Sequence, residues 1–330
     1  MSCELYPDHP ERCDIVLALK RTSASLSLIG CLFLIFLIWL FKKYKFFGQR
    51  MILSLGIAAL LDSISYIMGD IYPDGKLCEA QAFLMSYFDW SVLCWVCCIS
   101  FNLWLLAVKR MYKKGFEKFY HFVSWGIPLF WAVLPFVGDH YGPAGVWCWI
   151  DNNSYAWRFG VWYVPLFILI IGMVFTNSYI VWKVYKEAAE WEGTFSQEHE
   201  TDRKLLKEEV KRLVAYPIIY LVLSICPLIF RIHNAIHRNG HSSYPLLVLT
   251  VIFGPLQGAC NAIAFAIDQE TWRRLTWTEI KLALRSRSSS GSGQVIHNYR
   301  VDDVAPETPG QSSTYSSPRS TDDGIANPLA

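Results

Sequence analysis

Charge is the scarce ingredient of this 330-residue chain: only 18% of it is Asp, Glu, Lys or Arg, and seven long stretches hold almost none. A soluble domain ordinarily carries about a quarter charged residues. Other absences narrow the reading further. The stretch Tyr244–Ile267 has no lysine, so it offers no amine for a retinal Schiff base. Clustered nucleophiles or metal ligands at membrane depth are missing, so no enzyme, cofactor or metal is expected. No half of the chain repeats the other, which counts against a small-solute transporter or channel, the rival class. No basic tract or motif points to nucleic acid. The first twenty residues are polar and charged rather than an apolar leader, so the first apolar run is expected to serve as an uncleaved anchor.

What is present are seven apolar runs, at Thr22–Phe41, Arg50–Gly69, Phe83–Val108, His121–Val137, Gly160–Val184, Arg212–Arg231 and Tyr244–Ile267. About twenty apolar residues at about 1.5 Å each cover a hydrocarbon core of roughly 30 Å. A membrane barrel would need alternation, and the unbroken run Cys31–Trp39 does not alternate. The sequence therefore predicts an all-α membrane protein, a seven-helix bundle over 22–267. A segment 1–21 precedes it; an amphipathic interfacial helix over 268–284 and a disordered tail over 285–330 follow.

Orientation comes from where the bases lie. Lys42, Lys43, Lys45 and Arg50 follow the first run, Lys109, Arg110, Lys113, Lys114 and Lys118 the third, and Arg273, Arg274 and Lys281 the seventh. The intervening loops offer Lys76 and Arg158. The positive-inside rule then puts the N-terminus outside and the C-terminus inside a cell membrane, with Lys20 and Arg21 mildly opposed. Asn152-Asn-Ser154 is a glycosylation sequon in a loop so placed outside.

Six of the ten cysteines lie within runs; Cys78 and Cys148 lie toward the oxidising exterior, which allows a bridge between them. Cys3 and Cys13 offer a second, whose pairing the sequence leaves open. His233, His237 and His241 would share one face of a continued helix, as zinc ligands do, or belong to a hydrated loop; without a carboxylate no metal is assigned.

Acids inside apolar runs are costly and so are candidates for function. Asp89 is expected to face an outer cavity, while Asp62 reads as structural. Trp90, Trp95, Trp147, Trp149 and Trp157 crowd the outer half, mostly as interface anchors with one or two lining a pocket. Asp151, Arg158, Arg231 and His233 could meet a ligand near the outer mouth. Pro128, Pro135, Pro165, Pro217, Pro227 and Pro255 are expected to kink their helices. Trp272, Leu275, Trp277, Ile280 and Leu284 suit a helix lying on membrane lipid, with no later cysteine for a palmitoyl anchor. In the tail, Ser288, Ser289 and Ser290 lie near arginines, and Thr308 and Ser317 precede prolines. All five are phosphorylation candidates that could recruit an arrestin-type protein.

Several segments, taken together and in order, resemble one family. They are Arg50-Met-Ile-Leu and Ser65-Tyr66, then Phe122-Val-Ser-Trp-Gly-Ile-Pro-Leu129, Trp147-Cys-Trp-Ile-Asp151 and Leu256-Gln-Gly-Ala-Cys-Asn261. The chain is similar, from about Ala24 to Leu284, to the cyclic-AMP-receptor-like G-protein-coupled receptors, nearest their animal orphan branch. The resemblance implies seven helices, an extracellular small ligand and a heterotrimeric G protein. It also implies a Cys78–Cys148 bridge, a polar pair Gln257 and Asn261, and a basic end of the third helix at Lys109 and Arg110. With Lys113, Lys211 and Arg212 these bases would face the G protein. The chain departs from the family where Ile57-Ala-Ala-Leu-Leu61 replaces a stretch with a central Asp, the acid coming later as Asp62. It also lacks the rhodopsin-like Asp/Glu-Arg-Tyr and Asn-Pro-x-x-Tyr signals.

Overall fold

Apolar runs in lipid must close their backbone hydrogen bonds within themselves, and here they do so as helices. The structure, a computed structural model, describes residues 10–68, 75–109, 114–144, 147–151, 154–190, 197–236 and 243–289. In chain order the long helices are α1 (Pro10–Leu40), α2 (Phe47–Met68), α3 (Lys76–Lys109), α4 (Glu117–Phe136), α5 (Tyr155–Val184, its last helix running to Glu190) and α6 (Gln197–Ile236). Among the described residues, six helices are thus long and apolar enough to cross a membrane. Tyr244–Phe253 and Gln257–Ile267, bent by 47°, make a seventh, α7, when taken as one span. Two short helices follow, α8 (Gln269–Arg274) and α9 (Trp277–Ser289).

Several boundaries differ from the sequence expectation. Helix α1 reaches back to Pro10, well before Thr22, and the added turns bury Cys13, Val16 and Lys20. Helix α3 likewise starts at Lys76 rather than Phe83, so Cys78 lies on the helix itself. The single amphipathic helix expected over 268–284 is two helices. Thr276 divides them: its hydroxyl donates to the Arg273 carbonyl at 3.3 Å, and its carbonyl accepts the Ile280 amide at 3.0 Å. Trp272 and Trp277 remain exposed, and the second helix continues to Ser289.

The prolines act in more than one way. Pro128 and Pro165 lack the amide that Ser124 and Val161 would otherwise receive, and each follows a π-helical turn, Phe122–Gly126 and Arg158–Tyr163. Pro135 sits in the 3-10 turn that ends α4. Pro217 and Pro227 lie inside the continuous helix α6. Around Gly254–Leu256 the helix α7 breaks.

That break creates orphan amides at the start of Gln257–Ile267, and α1 satisfies one. The Ala259 amide donates to Ser27 Oγ at 3.2 Å, an N-cap supplied by another helix. Such a bond needs close helix approach. A methyl group at Gly258 would lie 2.2 Å from Cys31 Sγ, and one at Gly30 would lie 2.8 Å from Ala259 Cα. Glycine is required at both places by space. Helix α3 is the central post, with 67% of its apolar window buried against 28% for α4 and α6. Asn177 of α5 donates to Ser100 Oγ of α3 at 3.1 Å, and Ser124 of α4 to Cys98 Sγ at 3.4 Å.

Candidate functional site

Between α4 and α5 the chain makes a hairpin, β1 (Tyr141–Pro143) against β2 (Cys148–Ile150), with Gly142 opposite Trp149. Successive strand residues face opposite ways. Cys148 is disulfide-bonded to Cys78 at the start of α3, and Trp149 turns to the other side. Tyr141, in the same hairpin, donates to the Ala132 carbonyl at 2.8 Å, and burial pushes its phenol up to about 12.

Trp149 is 4% exposed and packs against two guanidinium groups. Arg231 of α6 lies 4.6 Å from its ring and Arg158 of α5 lies 5.1 Å away. Trp162 meets it edge-on at 5.3 Å, and Trp90 meets Trp162 at 5.2 Å. Arg158 is anchored, its Nε donating to the Ile150 carbonyl at 2.9 Å. Arg231 makes a second ring contact, 5.5 Å from Tyr163. Trp149 is therefore the centre of a lid.

Under the lid lies a cavity of about 90 Å³ lined by α2, α3, α5, α6 and α7. Its charged residues are Asp62, Asp89 and Arg231, and its other polar groups include Tyr66, Tyr220, Ser224 and Gln257. Tyr66 donates to Asp89 Oδ2 at 3.5 Å, and Ser224 donates to the Tyr220 carbonyl at 2.7 Å. Gln257, at the break in α7, donates to Asn261 Oδ1 at 3.3 Å. About 90 Å³ is small beside pockets that hold drug-sized molecules, of roughly 300 Å³ and upward. The mouth is shut.

The opposite end of the bundle carries an ionic clasp. Asp268, just after α7, accepts from Arg212 Nε of α6 at 3.2 Å and from Thr271 at 3.3 Å. Lys43, between α1 and α2, is 2% exposed. Its Nζ donates to Thr271 Oγ1 at 2.7 Å and lies 3.9 Å from Asp268. Nearby, Lys183 of α5 donates to the Val108 carbonyl at 3.1 Å, capping α3. Arg50 grips Glu117 through both carboxylate oxygens, at 2.6 and 2.8 Å.

A family model described as slime mold cyclic AMP receptor matches residues 11–282, the whole of this bundle with its lid, cavity and clasp. The chain belongs to this receptor family. It is 26% identical over 249 residues to the cyclic AMP receptor-like protein A of Dictyostelium discoideum, covering 75% of this chain and 63% of that one. It is 27% identical over 277 residues to G-protein coupled receptor 1 of Arabidopsis thaliana, covering 83% and 84%. With G-protein coupled receptor 157 of Homo sapiens it shares 25% over 282 residues, covering 80% and 82%. The chain thus spans under two thirds of the Dictyostelium relative's length.

Within this family fold, the structure brings Asp89, Trp90, Arg231 and Gln257 together around the cavity. Trp149 does not line it but packs against Trp162 and Arg231, which do. Asp151 extends the hairpin by one bond, its amide donating to the His140 carbonyl at 2.8 Å. Arg158 is held by Ile150 and Trp149, not presented to the mouth, and Asn261 lies one turn below Gln257. Most of the outer tryptophans are packed core rather than interface anchors. Trp90 and Trp95 are 2% and 1% exposed, and Trp95, expected in the outer half, packs against His121 and Trp125 of α4, toward the Arg50–Glu117 end.

At the clasped end Lys211 and Lys109 are exposed, Lys109 lying 5.5 Å from the Trp104 ring. Arg212, expected to face a partner, is engaged by Asp268 instead. Cys13 is disulfide-bonded, while Cys3, Arg110, Lys113, Asn152, His237, His241, Ser290, Thr308 and Ser317 lie outside the described residues. The side chains of Ser288 and Ser289 do too. Among the described residues no group of three metal-ligating side chains forms.

Sequence reasoning underrated Asp62 and passed over Tyr220, Ser224 and Trp162. A signal was available. Tyr220, Ser224, Pro227 and Arg231 recur at helical spacing on α6, and Asp62 and Tyr66 are one turn apart on α2. Both stripes end on this cavity.

Proposed function

We propose that this chain is a G-protein-coupled receptor whose outer ligand site is the cavity beneath Trp149 and whose inner switch is the Asp268 clasp. The observation that carries the reading is the family match over residues 11–282, which takes in both ends of the bundle. Basic loops at the clasped end favour that end as cytoplasmic, with the N-terminus outside. A ligand acts by binding the open arrangement better than the closed one. Helix α6 supports such coupling physically, because it carries Arg231 in the lid and Arg212 in the clasp. Moving α6 outward at the inner end exposes Lys211 and Lys109 to a G protein, and an arrestin-type protein would read a phosphorylated tail.

Cavity charge bears on the ligand. Several Dictyostelium relatives are named for cyclic AMP, but a phosphate here would meet two carboxylates as well as Arg231. The lining favours a ligand that is neutral or cationic.

Releasing the clasp tests the switch without knowing the ligand. Hydrogen bonds to a charged group contribute about 1.5–3 kcal/mol, so Asp268→Asn should raise the active fraction roughly tenfold. The readout is basal reporter output across G-protein classes in cells matched for surface level. An Asp268→Asn receptor that moves no reporter above the parent refutes the clasp, and a ligand screen silent for both would refute coupling.

A further inference from the structure

The clasped end of the bundle exposes what the lidded end buries. Around the lid, Trp90, Trp149 and Trp162 are 5% exposed or less. At the clasped end Trp272 and Trp277 are 65% and 76% exposed, and Trp39, Tyr44 and Phe46, where α1 passes into α2, are exposed as well. Exposed aromatic rings of this kind seat a protein at the level of lipid headgroups.

Bases accompany the rings. The turn from Phe41 to Phe46 holds Lys42, Lys43 and Lys45 with no acid, and from Thr271 to Arg285 four bases meet one acid, Glu279. These segments are far apart in the chain, and Lys43 joins them. Its Nζ donates to Thr271 Oγ1 at 2.7 Å and lies 5.3 Å from the Phe265 ring, and both Lys43 and Thr271 are buried. Lys42, left-handed at φ 53°, turns the chain just before it, and Lys45 just after it is exposed. One buried hydrogen bond thus sets a basic turn beside α8. Helix α9 is oriented by its own packing. Ile280 and Ala283 lie against the core, so Trp277, Lys281 and Leu284, which share a helical stripe, are left exposed with Arg285 beside them. Basic residues clustered next to exposed tryptophan match a leaflet rich in anionic lipid, whereas a zwitterionic headgroup brings no net charge to meet them.

We propose that the face formed by the α1–α2 turn with α8 and α9 is a docking surface for anionic phospholipid headgroups. Lys42, Lys45, Arg273, Lys281 and Arg285 meet the headgroups, Trp272 and Trp277 anchor at their level, and the Lys43–Thr271 bond holds the two halves together. The inference goes beyond the receptor reading and its measurement involves no G protein, so the two fail separately.

Native mass spectrometry tests it on purified full-length protein released from micelles that hold phosphatidylserine and phosphatidylcholine in equal amounts. A base close to an anionic surface contributes roughly a fivefold factor, so partial engagement should favour bound phosphatidylserine about tenfold. The combined variant Lys42→Gln, Lys45→Gln, Arg273→Gln and Lys281→Gln should bring the ratio of the two lipids to within about twofold of unity. Lys109→Gln with Lys211→Gln removes charge from α3 and α6 at the same end and should leave the ratio as it is. Thr271→Val removes the joining bond without altering charge and should lower the ratio about threefold or more. Should Thr271→Val fail to fold, the glutamine variant, which touches no core side chain, carries the test. A parent that takes up both lipids equally would overturn the surface. So would an equal loss in the Lys109 and Lys211 pair, or an unchanged ratio in folded Thr271→Val, since either assigns the binding to diffuse charge.

Discussion

Replacing Trp149 with leucine should open the cavity. The ring lies 4.6 Å from Arg231, which lines the cavity, and 5.1 Å from Arg158, and the expectation is that these contacts restrict access to it. Partly desolvated cation–π contacts contribute about 1–2 kcal/mol each. Arg158 keeps its bond to the Ile150 carbonyl when the ring is lost, and Arg231 keeps only Tyr163 at 5.5 Å. The closed mouth should thus lose about 2 kcal/mol, which shifts its opening equilibrium roughly 30-fold. Leucine preserves apolar bulk and limits damage to the hairpin. The assay places a reporter in the cavity, Ser224→Cys, and follows its modification by a small water-soluble thiol reagent. The parent with serine at 224 corrects for native cysteines. Labelling in Trp149→Leu should run about 10–30 times faster, with Trp149→Phe between the two. A rate within twofold of the parent, at an unchanged thermal midpoint, would refute the lid.

Two further predictions concern the frame that holds both ends. Gly258→Ala puts a methyl group 2.2 Å from Cys31 Sγ and 2.5 Å from Ser27 Oγ, so it should cost about 1–3 kcal/mol and lower the midpoint by several degrees. Gly172→Ala, with nothing within 4 Å, should leave the midpoint unchanged; equal behaviour of the two variants in thermal melts would contradict the close α1–α7 contact. Cys148→Ser opens a loop of 70 residues and should destabilise the bundle by about 2–4 kcal/mol. Thiol labelling of the lone Cys78 in native and denatured protein, with denaturant melts, would detect the change, and an unaltered melt would deny the bridge a structural role.

The helices were legible because bilayer length and apolarity are properties of contiguous residues, and the family was legible because its motifs are short and ordered. Asp89 could be singled out because a costly residue within an apolar run stands out on its own, Arg231 as a base at the outer end of its run, Trp90 as one of a crowd of outer tryptophans, and Gln257 through the family resemblance. Their meeting could not be read that way, since it depends on how five helices rotate about their axes, which long-range packing decides. Asp62 looks like any acid that finds a partner within the bundle until the cavity beside it is seen. Arg212 and Arg158 look like free positive charge until Asp268 and Trp149 are brought to them from far along the chain. Local physics, the demand of backbone amides in lipid and the distribution of charge, determined seven helices and the family to which they belong. Only tertiary packing decided which charges are spent on holding the fold closed and which are left facing the cavity, because pairing is a matter of distance in space rather than along the sequence.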